Sequence, residues 1–170
     1  MNPLVSIIMG STSDLPVMEE AAQILNELQI PFEMNALSAH RTPEQTAAFA
    51  AGAYDRGIRV IIAGAGGSAH LAGVLAAMTA CPVIGVPIKS TISIDGWDSI
   101  LSTLQMPPGV PVATMGLDAA RNAGILAAQI LGAGDHEIYQ KVVAFKSSLK
   151  NKILKANEEL KAVQFKYKTN

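Results

Sequence analysis

Short apolar runs alternate with helical stretches along residues 4–131, and most of the runs end in a glycine-rich or polar turn. LVSIIM (4–9), PFEMNAL (31–37), RVIIAG (59–64), PVIGVP (82–87) and VPVATM (110–115) read as strands. Between them, Val17, Ala21, Ile24, Leu25 and Leu28 recur at helical spacing. TPEQ (42–45) opens a second helix, with Thr42 as N-cap, Pro43 at the first helical position and Gln45 closing a capping box. HLAGVLAAMTA (70–80), SILSTLQM (99–106) and DAARNAGILAAQIL (118–131) are further helices. Apolar runs without polar alternation belong to strands buried on both faces, and helices between them act as crossovers, so the sheet is parallel. The expectation is an α/β chain: a flavodoxin-like three-layer sandwich with five parallel strands in the order 2-1-3-4-5.

A sixth helix is expected from Asp135 to about Val163. Ile138, Val142, Phe145, Leu149, Ile153, Ala156, Leu160 and Val163 form one apolar stripe along it. Such an arm is long for a domain already closed by five strands, and residues 135–165 are expected to pack on a neighbouring subunit. With no repeat and no linker in 170 residues, residues 1–170 read as a single domain.

The totals exclude several classes of function. Val60 to Ile88 carries no charge apart from that of His70, but Gly64, Gly66, Gly67, Gly73, Pro82, Gly85 and Pro87 divide it into pieces too short for a membrane span. The start, MNPLVSIIMG, lacks a basic region and a cleavage-site pattern, which fits a cytoplasmic protein. The lone Cys81 forms no disulfide within the chain and reads as a small buried hydrophobe; one cysteine and three scattered histidines make no structural metal site. The formal net charge of -1 hides an asymmetry: residues 1–140 carry five basic and twelve acidic groups, residues 141–170 eight lysines and two glutamates. A solvated helix, or one lying on an acidic neighbouring subunit, accounts for that tail better than nucleic-acid binding does.

In open parallel sheets ligands bind beyond the carboxyl ends of the strands. The turns there are GSTSD (10–14), SAHRTP (38–43) and AGAGGSAH (63–70). GSTSD has two readings. Ser13 or Asp14 caps a helix, or the backbone and Ser11 hold an anion while Asp14 takes ribose hydroxyls. The turn is neither a Walker loop nor a dinucleotide-binding GxGxxG. Gly64, Gly66 and Gly67 let a ligand approach the backbone closely, or make a tight turn that His70 caps. His40 and Arg41 stand side by side at the same edge. Arg41 is one of only five cations in the acidic body and is the natural clamp for an anionic substrate, with Lys89 the second candidate. Arg56 and Arg59 lie at the opposite end of the sheet, and His136 opens a surface helix.

The three turns, in this order, resemble those of the aminoimidazole ribonucleotide carboxylase family of purine biosynthesis. GSTSD, SAHRTP, AGAGGSAHLAG, QMPPGVPVAT (105–114) and NAGILAAQIL (122–131) match its signature segments, so the likeness covers nearly all of residues 4–132. The AH form of the third motif is similar to that of the bacterial mutase branch, which acts on N5-carboxyaminoimidazole ribonucleotide; a sister branch that uses the free amine and CO2 departs from it. The family commonly has proline where Ala72 stands and a less bulky residue at Trp97.

The resemblance implies a cofactor-free isomerase, without metal, that moves a carboxylate from the exocyclic nitrogen to ring carbon 4. His40 would shuttle the proton. Arg41 and Ser11, assisted by Ser38, would hold the phosphoribosyl group, and Asp14 the ribose hydroxyls or the ring. The glycine wall, with Gly66, would hold ring and CO2, and His70 would line the pocket. It further implies a homo-octamer, and an ATP-dependent synthetase as the functional partner that makes the substrate. Two alternatives stand beside it: the carboxylase that uses free CO2, and a flavin- or nucleotide-binding module on the same fold.

Overall fold

The computed structural model describes residues 2–170. Strands β1 (Val5–Met9), β2 (Phe32–Ala36), β3 (Val60–Ala65), β4 (Val83–Pro87) and β5 (Ala113–Thr114) form one parallel sheet, ordered β2-β1-β3-β4-β5. The helices are α1 (Leu15–Glu27), α2 (Pro43–Ala51), α3 (Leu71–Met78), α4 (Trp97–Leu104), α5 (Ala120–Gly132) and α6 (His136–Lys161), with a single 3-10 turn, Thr12–Asp14, before α1.

The apolar runs of β1, β3 and β4 are buried on both faces because the helices cover both, whereas the edge strands β2 and β5, expected to be buried likewise, stay partly exposed because each pairs on one side only. Val5, Ile7, Met9, Val60, Ile62, Ile84 and Val86 face α1 and α5. Ile8, Ile61, Ala63 and Val83 face the other way, in a cluster with Leu71, Ala72 and Leu75 of α3. Fully burying each such aliphatic side chain contributes about 1.5–3 kcal/mol. Small residues set the layer spacing. A Cβ on Gly124 of α5 would lie 2.4 Å from Ile24 and 3.1 Å from the Ala21 carbonyl oxygen, so α5 packs backbone-close on α1.

Several boundaries differ from the sequence reading. β5 pairs over two residues rather than 110–115, as Ile84↔Ala113 and Gly85↔Thr114. Pro107, Pro108 and Pro111 precede the pairing, and a proline offers no N–H to a ladder. Thr42 starts α2 but forms no capping box. Its hydroxyl donates to the Ser38 carbonyl (3.1 Å) and accepts the Ser38 N–H (2.9 Å), so it closes the preceding loop. α4 starts earlier, at Trp97, after Gly96 at φ 87°. The Asp135 carboxylate caps α6 by accepting the Ile138 N–H (3.1 Å). Ile138, Val142 and Phe145 anchor that helix, whereas Leu149, Ile153, Leu160 and Val163 of the same stripe are exposed.

The register fixes the site. Met9 lies opposite Ala36 and Gly64, and Ala65 opposite Pro87, so the turns leaving β1 to β4 emerge level at one edge.

Candidate active site

Each turn is braced locally before it offers groups to a ligand. After β1, the Ser11 side chain accepts the Ser13 N–H (3.3 Å) and caps the 3-10 turn; Asp14 makes no cap bond to α1. Asp14 is instead drawn in, only 6% exposed. Burial raises its carboxyl above the usual carboxylate range, against the lowering influence of the Ser11 backbone, the Ser13 hydroxyl and the Arg41 guanidinium.

After β2, the Ser38–Thr42 bonds close a compact loop that projects His40 and Arg41. The Arg41 Nη2 donates to the Gly10 carbonyl (2.7 Å) and Nε to the Ser38 hydroxyl (3.4 Å), so the guanidinium ties the first turn to the second. After β3, Ser68 takes a left-handed backbone (φ 54°), and the His70 N–H bonds the Ser68 carbonyl (2.7 Å). This bend carries His70 to His40: Nδ1 of His70 lies 2.9 Å from Nε2 of His40, with the rings edge-on at 86°. One nitrogen of that pair donates and the other accepts.

These turns enclose a cleft of about 400 Å³, within the range of small-ligand sites. Ser11, Asp14, Ser38, His40, Arg41 and Gly66 all line it. His70 does not line it, contrary to expectation; it supports His40 from outside the lining. Lys89 is also absent from the wall. Its ammonium pairs with Asp95, which raises its pKa, and its N–H bonds the Asp118 carboxylate (2.9 Å). Arg56 pairs with Glu33 and Arg59 with the Tyr54 carbonyl, far from this edge. Cys81 is buried against the Ile58 carbonyl.

Sequence reasoning missed the fourth turn. Ser90, Thr91 and Ile92, just beyond β4, complete the wall, and Ser13 and Leu71 add to it. The rule that pointed to the first three turns applies equally to the polar run KSTIS (89–93) at the end of β4. The glycines also make room for neighbouring protein atoms, at Gly66 and Gly67 those of that loop. A Cβ on Gly66 would lie 2.5 Å from Ser90 Cβ, one on Gly67 2.8 Å from Ile92 Cγ1, and one on Gly64 2.3 Å from the Met18 sulfur. Their lack of a side chain seats neighbouring protein atoms, and Gly66 and Gly67 present to the cleft the backbone that remains.

Among the described residues no cluster of three or more His, Cys, Asp or Glu is arranged to hold a metal ion, and no helix is long and apolar enough to cross a membrane.

The model of the family described as AIR carboxylase matches residues 4–152. N5-carboxyaminoimidazole ribonucleotide mutase of Pyrococcus abyssi is 57% identical over 87% of this chain and 84% of its own length. The Thermotoga maritima protein of the same name is 52% identical over 96% and 95%. Phosphoribosylaminoimidazole carboxylase of Candida glabrata is 48% identical over 96% of this chain but only 28% of its own length. Among solved structures, Treponema denticola PurE superposes with a TM-score of 0.81 at 31% identity, over 94% of this chain and 99% of that one.

Proposed function

This chain belongs to the AIR carboxylase family, and from that premise we propose that it is a mutase of de novo purine biosynthesis, an isomerase converting N5-carboxyaminoimidazole ribonucleotide to the carbon-4 carboxylate. The observation that carries the reading is that His40 and Arg41 open on one cleft together with Ser11, Asp14 and the Gly66–Gly67 backbone, in a chain about half identical to proteins of that name.

The chemistry needs one proton at two moments. Arg41, Ser11 and Ser38 bind the phosphate by charge-assisted and neutral hydrogen bonds, and Asp14 accepts from the ribose hydroxyls. Imidazolium His40 gives its proton to the exocyclic nitrogen. The carbon–nitrogen bond then breaks with its electron pair left on nitrogen, and CO2 is freed. Carbon 4 of the electron-rich ring attacks that CO2, forming the new carbon–carbon bond. Neutral His40 removes the carbon-4 proton, the ring regains aromaticity and His40 ends protonated as it began. Imidazole is the side chain suited to give and then take back a proton at neutral pH. Because His40 Nε2 is held by His70, Nδ1 is the nitrogen left to face the substrate.

The whole chain is one catalytic unit in this reading, working in the cytoplasm as a homo-octamer downstream of an ATP-dependent synthetase that makes the N-carboxylated substrate. The bare distal stripe of α6 supports the assembly. A 26-residue helix is about 39 Å long, and its outer part, past Phe145, is unpartnered and marginal as an isolated helix in water.

The test offers purified protein, without ATP or added metal, either the N-carboxylated ribonucleotide or the free amine with bicarbonate, and follows product absorbance. Fast product from the first and little from the second is expected. Comparable rates from both identify the carboxylase that the Candida glabrata relative is named for, and product from neither removes the enzymatic reading.

A further inference from the structure

We propose that the Ser90 hydroxyl is the group that holds the migrating carboxylate, and the CO2 derived from it, against the glycine wall; the inference rests on the mutase reading above. Ser90 Oγ accepts the Gly67 N–H at 3.0 Å. Among the described residues no protein acceptor takes the hydroxyl's own proton, and Ser90 lines the cleft. A hydroxyl whose oxygen is fixed by one bond and whose proton is unclaimed is an oriented donor. Seating is tight, since Gly66 alone leaves room for Ser90 Cβ.

Position within the cleft says which part of the substrate it meets. The only guanidinium in the lining, Arg41, bridges the turns after β1 and β2 and takes the phosphate there. The substrate's second anionic group, the carboxylate, is left to the β3–β4 end, where Gly66, Gly67 and Ser90 stand. A neutral donor suits this task. A cation would favour the carboxylate over neutral CO2 and so oppose decarboxylation, whereas a hydroxyl keeps one hydrogen bond to oxygen through both states. Lys89, which is adjacent in sequence, is held away by Asp95. No covalent change occurs at Ser90: the carbon–nitrogen bond breaks and the carbon–carbon bond forms while one oxygen stays anchored.

The test uses the full-length protein and N5-carboxyaminoimidazole ribonucleotide labelled with carbon-13 in the migrating carboxylate, in excess unlabelled bicarbonate. The readout is the fraction of label retained in the product, with free amine measured beside it. Wild type should retain most of the label. Ser90→Ala should raise the ratio of CO2 released to CO2 transferred by roughly threefold to tenfold, the worth of one hydrogen bond. Ser90→Cys, nearly isosteric and a weak donor, should do the same and serves if the alanine variant does not fold. Ser93→Ala loosens the same loop from outside the cleft, by removing the bond from the Ser93 hydroxyl to the Ser90 carbonyl (2.9 Å), but keeps the Ser90 hydroxyl, and should retain label as wild type does. Wild-type retention in Ser90→Ala or Ser90→Cys overturns the proposal, as does equal label loss in Ser93→Ala. Wild-type protein that makes no product from this substrate overturns the mutase reading instead.

Discussion

Gly66→Ala is the substitution whose effect can be worked most fully from the structure. The added Cβ would stand 2.5 Å from Ser90 Cβ and 2.6 Å from Ser90 Oγ. Carbon atoms in contact sit about 3.5–4.0 Å apart, so the two turns must separate by about 1 Å. Ser90 Cβ is the first atom of its side chain and no rotamer moves it away; the backbone beyond β4 has to shift. That shift stretches the 3.0 Å bond between Gly67 N–H and Ser90 Oγ beyond hydrogen-bond range. Overpacking costs about 1–3 kcal/mol, at the low end for a surface loop, and the lost bond about 1 kcal/mol. A total of roughly 2 kcal/mol lowers Tm by about 4–8 °C in a domain of this size. Because the displaced atoms are the cleft wall, kcat/KM should fall by about 10²-fold, as a 1 Å misplacement does. Gly64→Ala is the comparison. Its Cβ meets the sulfur of buried Met18, so it should lose stability while the folded enzyme keeps kcat/KM within a few fold. Thermal melts and steady-state kinetics on both variants decide the matter, and a Gly66→Ala protein with wild-type Tm and kcat/KM would refute the idea that loop and wall are fitted to each other.

Arg41→Ala should raise KM by roughly 10- to 100-fold, the worth of the charge-assisted bonds removed, with a smaller change in kcat; an unchanged KM would place the phosphate elsewhere. Asp14 carries a pH signature in the substrate-free protein. Its raised folded pKa means that the carboxyl contributes stability fully below the unfolded value near about 3.9 and loses that contribution as pH rises through the folded value. Asp14→Asn should therefore melt higher than wild type at neutral pH, with the gap closing on acidification, and a constant gap across pH 4–8 would contradict the burial argument. Ending the chain at residue 149 removes the exposed Ile153, Leu160 and Val163 and should reduce the assembly seen by light scattering; an unchanged mass would free the arm from any role in oligomerisation.

The legible and illegible parts divide on physical grounds. Ile61 lies in a run, Val60–Ala65, that is apolar throughout, and Ile7 in one broken only by Ser6; such runs are buried where helices cover both faces of a sheet, so the layers could be read from them and the parallel sheet from the strand–helix alternation. Ser11, Asp14, Ser38, His40 and Arg41 were legible because position at the carboxyl edge follows from strand order. Thr42 was not, because the hydroxyl oxygen of a threonine before a helix can accept either a helix N–H or the N–H of the preceding loop, and Ser38 wins. The glycines at 64, 66 and 67 announce a close approach but not what approaches; Met18, Ser90 and Ile92 come from other turns and elements. His70 lies thirty residues from His40, and the bend at Ser68 that joins them is a backbone feature that serine does not advertise. The short β5 reflects prolines that composition shows and an apolar pattern hides.

The central claim is that one imidazole gives and then takes the proton. Its most direct test is His40→Asn, assayed with the N-carboxylated ribonucleotide while substrate binding and thermal melting are measured on the same preparation. The account predicts a turnover loss of at least about 10²–10⁴-fold, with the fold intact and the substrate still bound through Arg41. Near-normal turnover in that variant would contradict it and move the proton to another group.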